Sequence, residues 1–218
     1  MPYKTTMAYE NLKSNPLTYA LGKGVMSTIR FVRTVQNILQ RHRLPALLPI
    51  QKRALLLEIG KMYNLNVFFE TGTLYGDTVA YMAPHFKRVV SYELAPDLHK
   101  ANVKKLNKLK NIELHLGDSG KLMPQHLKAL NEPAMFWLDG HFSGGATAHG
   151  DLACPVEQEL HGILSHPVKG HVIAIDDARD FLGLDGYPTI GQLQRFVNRY
   201  PGYMLRLNSD IFIIAPSE

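Results

Sequence analysis

From Asn66 onward the chain alternates short apolar runs with stretches of helical spacing, and this rhythm restricts the fold more than any other feature. Val67–Phe69, Arg88–Tyr92, Ile112–Leu116, Ala134–Leu138 and His171–Ile175 read as strands. Between them Asp77–Ala83, Pro96–Leu109, Met123–Leu130 and Val156–Leu164 read as helices. Strand and helix in alternation mean βαβ units, and strands that are apolar almost throughout belong to a parallel sheet covered on both faces. After a further helix over Ile190–Arg199 the rhythm breaks. Tyr203–Leu207 and Ile211–Ala215 flank Asn208-Ser209-Asp210, the pattern of an antiparallel hairpin. The expected fold is α/β: a doubly wound, mostly parallel seven-stranded sheet, Rossmann-like, with a terminal antiparallel hairpin.

The first sixty residues show no strand alternation. Leu21, Val25, Ile29, Val32 and Leu39 recur at helical spacing, and a second apolar stretch over 46–57 is interrupted by Pro49. Residues 1–60 read as a basic helical N-terminal extension, and 61–218 as the main domain. Nine of the 24 Lys/Arg but only two of the 19 Asp/Glu fall in 1–60, leaving 15 basic against 17 acidic side chains beyond it. The net charge of +5 is therefore a property of the extension. This distribution disfavours a nucleic-acid partner, and no aromatic–basic interleaving flanks the fourth strand. Basic residues among apolar ones between 21 and 43 fit peripheral contact with an anionic membrane, or helices that cover a sheet edge or form a homodimer contact. The single cysteine, Cys154, excludes an internal disulfide and a multi-cysteine zinc site, as expected of a cytoplasmic chain. No apolar run is long enough to span a membrane, and the start lacks the apolar core of a secretory signal.

In open α/β sheets ligands gather beyond the carboxyl ends of the strands, so the residues found there carry the chemistry. The first strand runs into Glu70-Thr71-Gly72-Thr73-Leu74-Tyr75-Gly76, whose glycines permit a sharp turn and close approach to a ligand. This is not the dinucleotide fingerprint, which needs a glycine at 74 and has no leading acid. A carboxylate at 70 repels a pyrophosphate and suits a ligand carrying positive charge. Glu93, followed by Leu94, lies 21 residues after Gly72, where a carboxylate accepts both hydroxyls of a ribose. Asp118, between Gly117 and Ser119, is placed either to accept an adenine amino group or to cap the next helix.

The fourth strand ends in Asp139-Gly140-His141 and the fifth in Asp176-Asp177. Three carboxylates in one crevice repel each other unless a cation or protons offset them, and an all-oxygen set suits Mg²⁺ or another hard divalent ion. Asp177 also reads as a helix cap. An imidazole ordinarily changes charge near neutrality, so His141 reads as a general base, a metal ligand or a structural hydrogen-bonding residue.

With the Glu-x-Gly-x-x-x-Gly loop, Glu93, Gly117-Asp118-Ser119, Asp139 and the closing hairpin, residues 66–218 resemble the class I S-adenosylmethionine (SAM)-dependent methyltransferases. Leu74 stands where the commoner loop has its middle glycine, a departure shared by the catechol O-methyltransferase-like members. Metal-dependent catechol and macrocin-type O-methyltransferases carry an Asp after the fourth strand and an Asp-Asp or Asp-Asn pair after the fifth, which Asp139, Asp176 and Asp177 match. The resemblance implies SAM held by Glu70, Thr71, Gly72, Thr73, Gly76, Glu93, Leu94, Asp118, Ser119 and Asp139. It further implies a divalent ion, Mg²⁺, on Asp139, Asp176 and Asp177, with Asp139 and His141 serving methyl transfer to a hydroxyl of a small acceptor. The competing reading is a methyltransferase-fold scaffold without turnover, docked through its basic helices. Elsewhere, Ser143–Gly150 reads as a lid or a plain connection, and Phe181 and Tyr187 as an acceptor wall or as core. Arg179 reads as an anion binder or a partner of Asp180 or Asp185, and the lysines over 100–110 as a solvated helix face.

Overall fold

A computed structural model of the chain describes residues 46–140, 156–184 and 187–217. The elements run α1 (Pro49–Met62), β1 (Val67–Thr71), α2 (Asp77–Met82), β2 (Arg88–Glu93), α3 (Pro96–Leu106), β3 (Ile112–Leu116) and α4 (Ser119–Lys128). They continue with β4 (Ala134–Leu138), α5 (Val156–Leu164), β5 (Val172–Ile175), a 3₁₀ turn (Ala178–Asp180), α6 (Ile190–Val197), β6 (Tyr203–Asn208) and β7 (Ile211–Pro216). One seven-stranded sheet has the order β3-β2-β1-β4-β5-β7-β6. Strands β1 to β5 are parallel, β7 returns antiparallel to β5, and β6 pairs antiparallel with β7. The doubly wound sheet with its terminal hairpin is thus as the sequence predicts. The helices expected before residue 46, together with Cys154, His141 and Ser143–Gly150, lie outside the described residues. Among the described residues no helix is long and apolar enough to cross a membrane.

The apolar strands divide by the two-residue period of the pleat. Phe69, Phe136, Leu138, Ile173 and Ile175 face one side, packed against Met123, Leu127, Leu160 and Leu193 of α4, α5 and α6. Phe68, Val89, Met135, Trp137 and Ala174 face the other, against Leu56, Ile59, Val79, Met82 and Leu106 of α1, α2 and α3. Phe69 stacks on Phe136 with ring centroids 4.8 Å apart, tying β1 to β4 through the middle of the sheet.

Where the sequence predicts a break at Pro49, the structure has the start of a helix. Proline fits the first helical position because the amide it lacks has no intrahelical acceptor there, and the Gln51 side chain accepts the Leu48 amide at 2.9 Å. The helix runs on to Met62, across the 60/61 boundary drawn from the sequence, and its buried Leu56, Leu57 and Ile59 belong to the sheet's core. α4 likewise begins at Ser119, four residues before the apolar periodicity marks it, because Asp118 caps it.

The chain enters the sheet at β1, builds outward to β3, and returns to the other side of β1 at β4. The carboxyl ends of β1 and β4 therefore form the switch point, the place where such sheets open a crevice.

Candidate functional site

The loop after β1 is held from outside itself. Gly72 has φ of 85°, and a side chain there would come within 2.8 Å of the Asp139 carbonyl oxygen. The glycine is thus required by contact between the β1 and β4 loops. Thr71, fully buried, accepts the Gly140 amide on its hydroxyl at 3.1 Å, closing the same contact. Leu74 sits at φ of 47°, the left-handed region that its Cβ disfavours. Two bonds hold it there: its amide donates to Glu93 Oε2 at 2.8 Å, and its carbonyl accepts from Asn102 of α3 at 2.7 Å. Gly76 packs against Asn102 and Leu106, where a Cβ would come within 2.8 Å of the amide oxygen. Lys105 bonds the Tyr75 carbonyl and Asp77, so this one of the α3 lysines braces the loop.

Glu93 ends β2 buried, with Oε1 accepting the Ala95 amide at 2.9 Å and Oε2 the Leu74 amide. Each carboxylate oxygen keeps a second lone pair, so the group is fixed and still able to accept two hydroxyls. Leu94 follows it, half-buried. Asp118 accepts the Gly120 amide at 2.9 Å as the N-cap of α4. The Ser119 hydroxyl donates inward to the buried Glu159 at 2.6 Å. Of the two roles open to Asp118, capping is the one the geometry displays.

Glu70 is turned inward. It is 2% exposed and accepts the Ser91 hydroxyl at 2.8 Å, and Ser91 in turn meets the buried Thr73 hydroxyl at 2.7 Å. Burial pushes the Glu70 carboxyl up to about 8, against hydrogen bonds from Ser91 and Thr78 that favour the anion. Near neutrality it is therefore largely a neutral prop beneath the loop rather than a free anion in the crevice. The folded state holds this proton in a range where the unfolded chain, at about 4.5, does not, so stability from this group declines as pH rises from about 4.5 to about 8. Glu159, pushed up to about 7 by burial, acts with the same sign, while the buried His171, pushed down to about 4, acts oppositely below its ordinary value. The difference between wild type and Glu70→Gln isolates Glu70. Glu70→Gln should gain on wild type by on the order of 4 kcal/mol across that window in urea unfolding. Curves that stay parallel from about pH 5 to about pH 8 would show that Glu70 does not carry the shift.

Three carboxylates meet at the ends of β4 and β5. Leu138 and Ile175 are register partners, so Asp139 and Asp176 follow them side by side, and the Asp176 amide donates to the Leu138 carbonyl at 3.1 Å. Asp177 comes next, in the left-handed region at φ of 54°. One oxygen from each of Asp139, Asp176 and Asp177 lies within 4.8 Å of the others. Burial and the charge of Asp176 hold the Asp139 carboxyl well above its ordinary range, and burial with Asp177 raises Asp176. Asp176 Oδ1 is buried with no hydrogen-bond partner. A hard divalent ion fits this donor set, because it would give that oxygen a partner and relieve the repulsion.

Two cationic side chains already serve the cluster. Lys52 of α1 donates to Asp176 Oδ2, and its ammonium lies 4.0 Å from Asp177 Oδ1. The sequence carries a signal for it: Lys52 falls on the same helical stripe as Leu56 and Ile59, an odd place for an ammonium without a partner. Arg179 donates to Asp177 Oδ1 at 2.8 Å and to the fully buried Asp210 in the β6–β7 turn. Its predicted partner Asp180 lies at 4.0 Å, and Asp185 is outside the described residues. Phe181, 1% exposed, packs edge-on against Phe212 and Tyr187, so its side chain belongs to the core.

No family model and no curated protein sequence matches the chain. Solved structures do. An O-methyltransferase from Bacillus cereus in complex with SAH aligns over 91% of this chain and 94% of its own, with 19% identity and a TM-score of 0.54. The O-methyltransferase of tomaymycin synthesis from Streptomyces achromogenes, in complex with SAM, aligns over 91% and 93%, with 14% identity and a TM-score of 0.57. A methyltransferase from Geobacter sulfurreducens aligns over 97% and 94%, with 13% identity and a TM-score of 0.53. At these identities the likeness is one of fold, and the fold is that of class I methyltransferases.

Proposed function

We propose that this chain is a SAM-dependent methyltransferase that acts on a hydroxyl oxygen of a small acceptor, with a divalent ion held by Asp139, Asp176 and Asp177. The observation that carries the reading is the meeting of three carboxylates, one of them with an unpartnered buried oxygen, at the ends of β4 and β5 beside the switch point of a methyltransferase fold. Glu93, fixed by two backbone amides, would accept the ribose hydroxyls of SAM, and the loop pinned by Asn102 and Lys105 would help hold it. SAM supplies an activated methyl group, so the chain's task is to align an acceptor oxygen and help it lose its proton. A divalent ion, when bound, lowers the acceptor's pKa and steadies the negative charge that develops on its oxygen. In this reading His141 accepts the acceptor's proton, and the oxygen bonds to the methyl carbon as the carbon–sulfur bond breaks.

Titration calorimetry tests the cofactor half. SAM should bind and NAD should not. Glu93→Ala should weaken SAM by roughly 10²- to 10⁴-fold, the worth of two hydrogen bonds to a charged group. Absence of SAM binding would end the proposal. Chelation tests the metal half: activity on a catechol or polyol acceptor should vanish in EDTA and return with Mg²⁺, and full activity after rigorous chelation would remove the ion from the reaction.

A further inference from the structure

The position of Lys52 bears on how a divalent ion reaches the acids. Its stem runs along the buried face of α1, in line with Leu56 and Ile59, and its side chain is only 19% exposed. Its ammonium comes out at the carboxyl ends of β4 and β5, bonded to Asp176 and 4.0 Å from Asp177. The charges of Asp176, Asp177 and Asp139 all act on it. It therefore stands among the same carboxylates that a divalent ion would bridge. A monovalent ammonium cannot satisfy three acids, and Asp176 Oδ1 is left without a partner.

Arg179 differs in kind. Its guanidinium is anchored at its far side by the buried Asp210, whose Oδ1 also takes the Arg179 amide at 2.9 Å. Lys52 hangs on a flexible four-carbon stem, and among the described residues its ion pairs are with Asp176 and Asp177 of the cluster itself, so it is the cation that can leave. Two cations at one carboxylate repel, and the divalent one gains more from the cluster.

We propose that Lys52 is the resident cation of the acid cluster and that a divalent ion enters by displacing it from Asp176. This rests on the metal reading given above. It makes the lysine a built-in competitor: it keeps the acids compensated before the ion arrives, and it weakens the ion's apparent affinity by the work of its own displacement.

The test is Mn²⁺ binding followed by electron paramagnetic resonance on the full chain, without SAM, for wild type, Lys52→Met and Lys52→Arg. Lys52→Met should bind Mn²⁺ at least about ten-fold tighter than wild type, and Lys52→Arg, which keeps the charge, no tighter than wild type. Calorimetry supplies a second reading. In EDTA the Met variant should melt below wild type, its acids uncompensated, and Mn²⁺ should raise its melting temperature more than that of wild type. Lys52→Gln is the milder substitution, with the same expected order. Equal or weaker Mn²⁺ binding by the Met and Gln variants would overturn the role of Lys52 and leave the metal site standing. Absence of Mn²⁺ binding by wild type and variants alike would overturn both.

Discussion

Asp139→Asn is expected to make the protein more stable and almost inactive. Asparagine has the same shape, so the strand end and the Gly72 contact, which involves the backbone of residue 139, survive. What disappears is a half-buried acid beside Asp176, where desolvation and the charge of Asp176 push the Asp139 carboxyl well above its ordinary range. Removing it should raise stability by about 1 kcal/mol or more in urea unfolding, since repulsion and desolvation are both relieved. The same change removes one of three anionic ligands, and kcat/KM should fall on the order of 10³-fold, in the range that removing a charge-stabilising group costs. The paired signs make the prediction specific. A structural aspartate would lose stability on substitution, and an idle one would leave activity alone. His141→Ala should behave differently. SAM and Mn²⁺ affinities should hold, kcat should fall about 10²- to 10⁴-fold, and the acid limb of the pH–rate profile should disappear. Activity within a few-fold of wild type would remove His141 from the base role.

Most of the sheet is written in local pattern, and most of the site is written in which residues follow the strands. Val67–Phe69 and Ala134–Leu138 read as buried strands because both faces are covered, and Asp139 and Asp176 come together because parallel neighbours end in register. Glu93 and the Leu74 departure are legible for the same reason: the first βα turn and the second strand end are short, local signals. The cations were harder. Lys52 lies 124 residues from Asp176 in the chain, and Arg179 lies 31 from Asp210. No spacing rule joins either pair, because α1 and the terminal hairpin reach the site only through the packing of the whole sheet. The basic bias of residues 1–60 illustrates the limit. As a sum it separates an extension from an acidic domain. In the structure Lys52 joins the acid cluster, and Arg53 lies over the Tyr81 ring at 5.9 Å. Glu70 was legible as an acid at the right place, but its charge state was not, since burial decides it.

The largest loss of stability is expected from Asp210→Ala, far from the acids in sequence and one side chain away from them in space. Asp210 sits in the turn between β6 and β7 and is fully buried. Its Oδ1 accepts the Arg179 amide at 2.9 Å, its Oδ2 the Arg179 guanidinium, and its backbone carbonyl the Ala178 amide at 2.9 Å. The turn of the terminal hairpin thus fastens the segment that carries Asp177, and Arg179 passes the restraint on to Asp177 Oδ1. Alanine keeps the backbone bond and strands the rest: the part-buried Arg179 amide loses its acceptor, and a small void opens where the buried Asp210 side chain was. The guanidinium is about half exposed, its side chain 47% accessible, so water recovers part of its loss. The remainder, a part-buried amide without its acceptor and a lost charge partner, should cost about 2–3 kcal/mol in denaturant unfolding. Asp210→Asn keeps the Oδ1 acceptor and the volume and should cost about half as much. Function should follow the same order. With Arg179 released, Asp177 has less to hold it at its left-handed backbone, and Mn²⁺ affinity should fall several-fold in Asp210→Ala and less in Asp210→Asn. If both variants unfold within about 0.5 kcal/mol of wild type, the hairpin turn is a passive connection and Asp177 is held by its own loop.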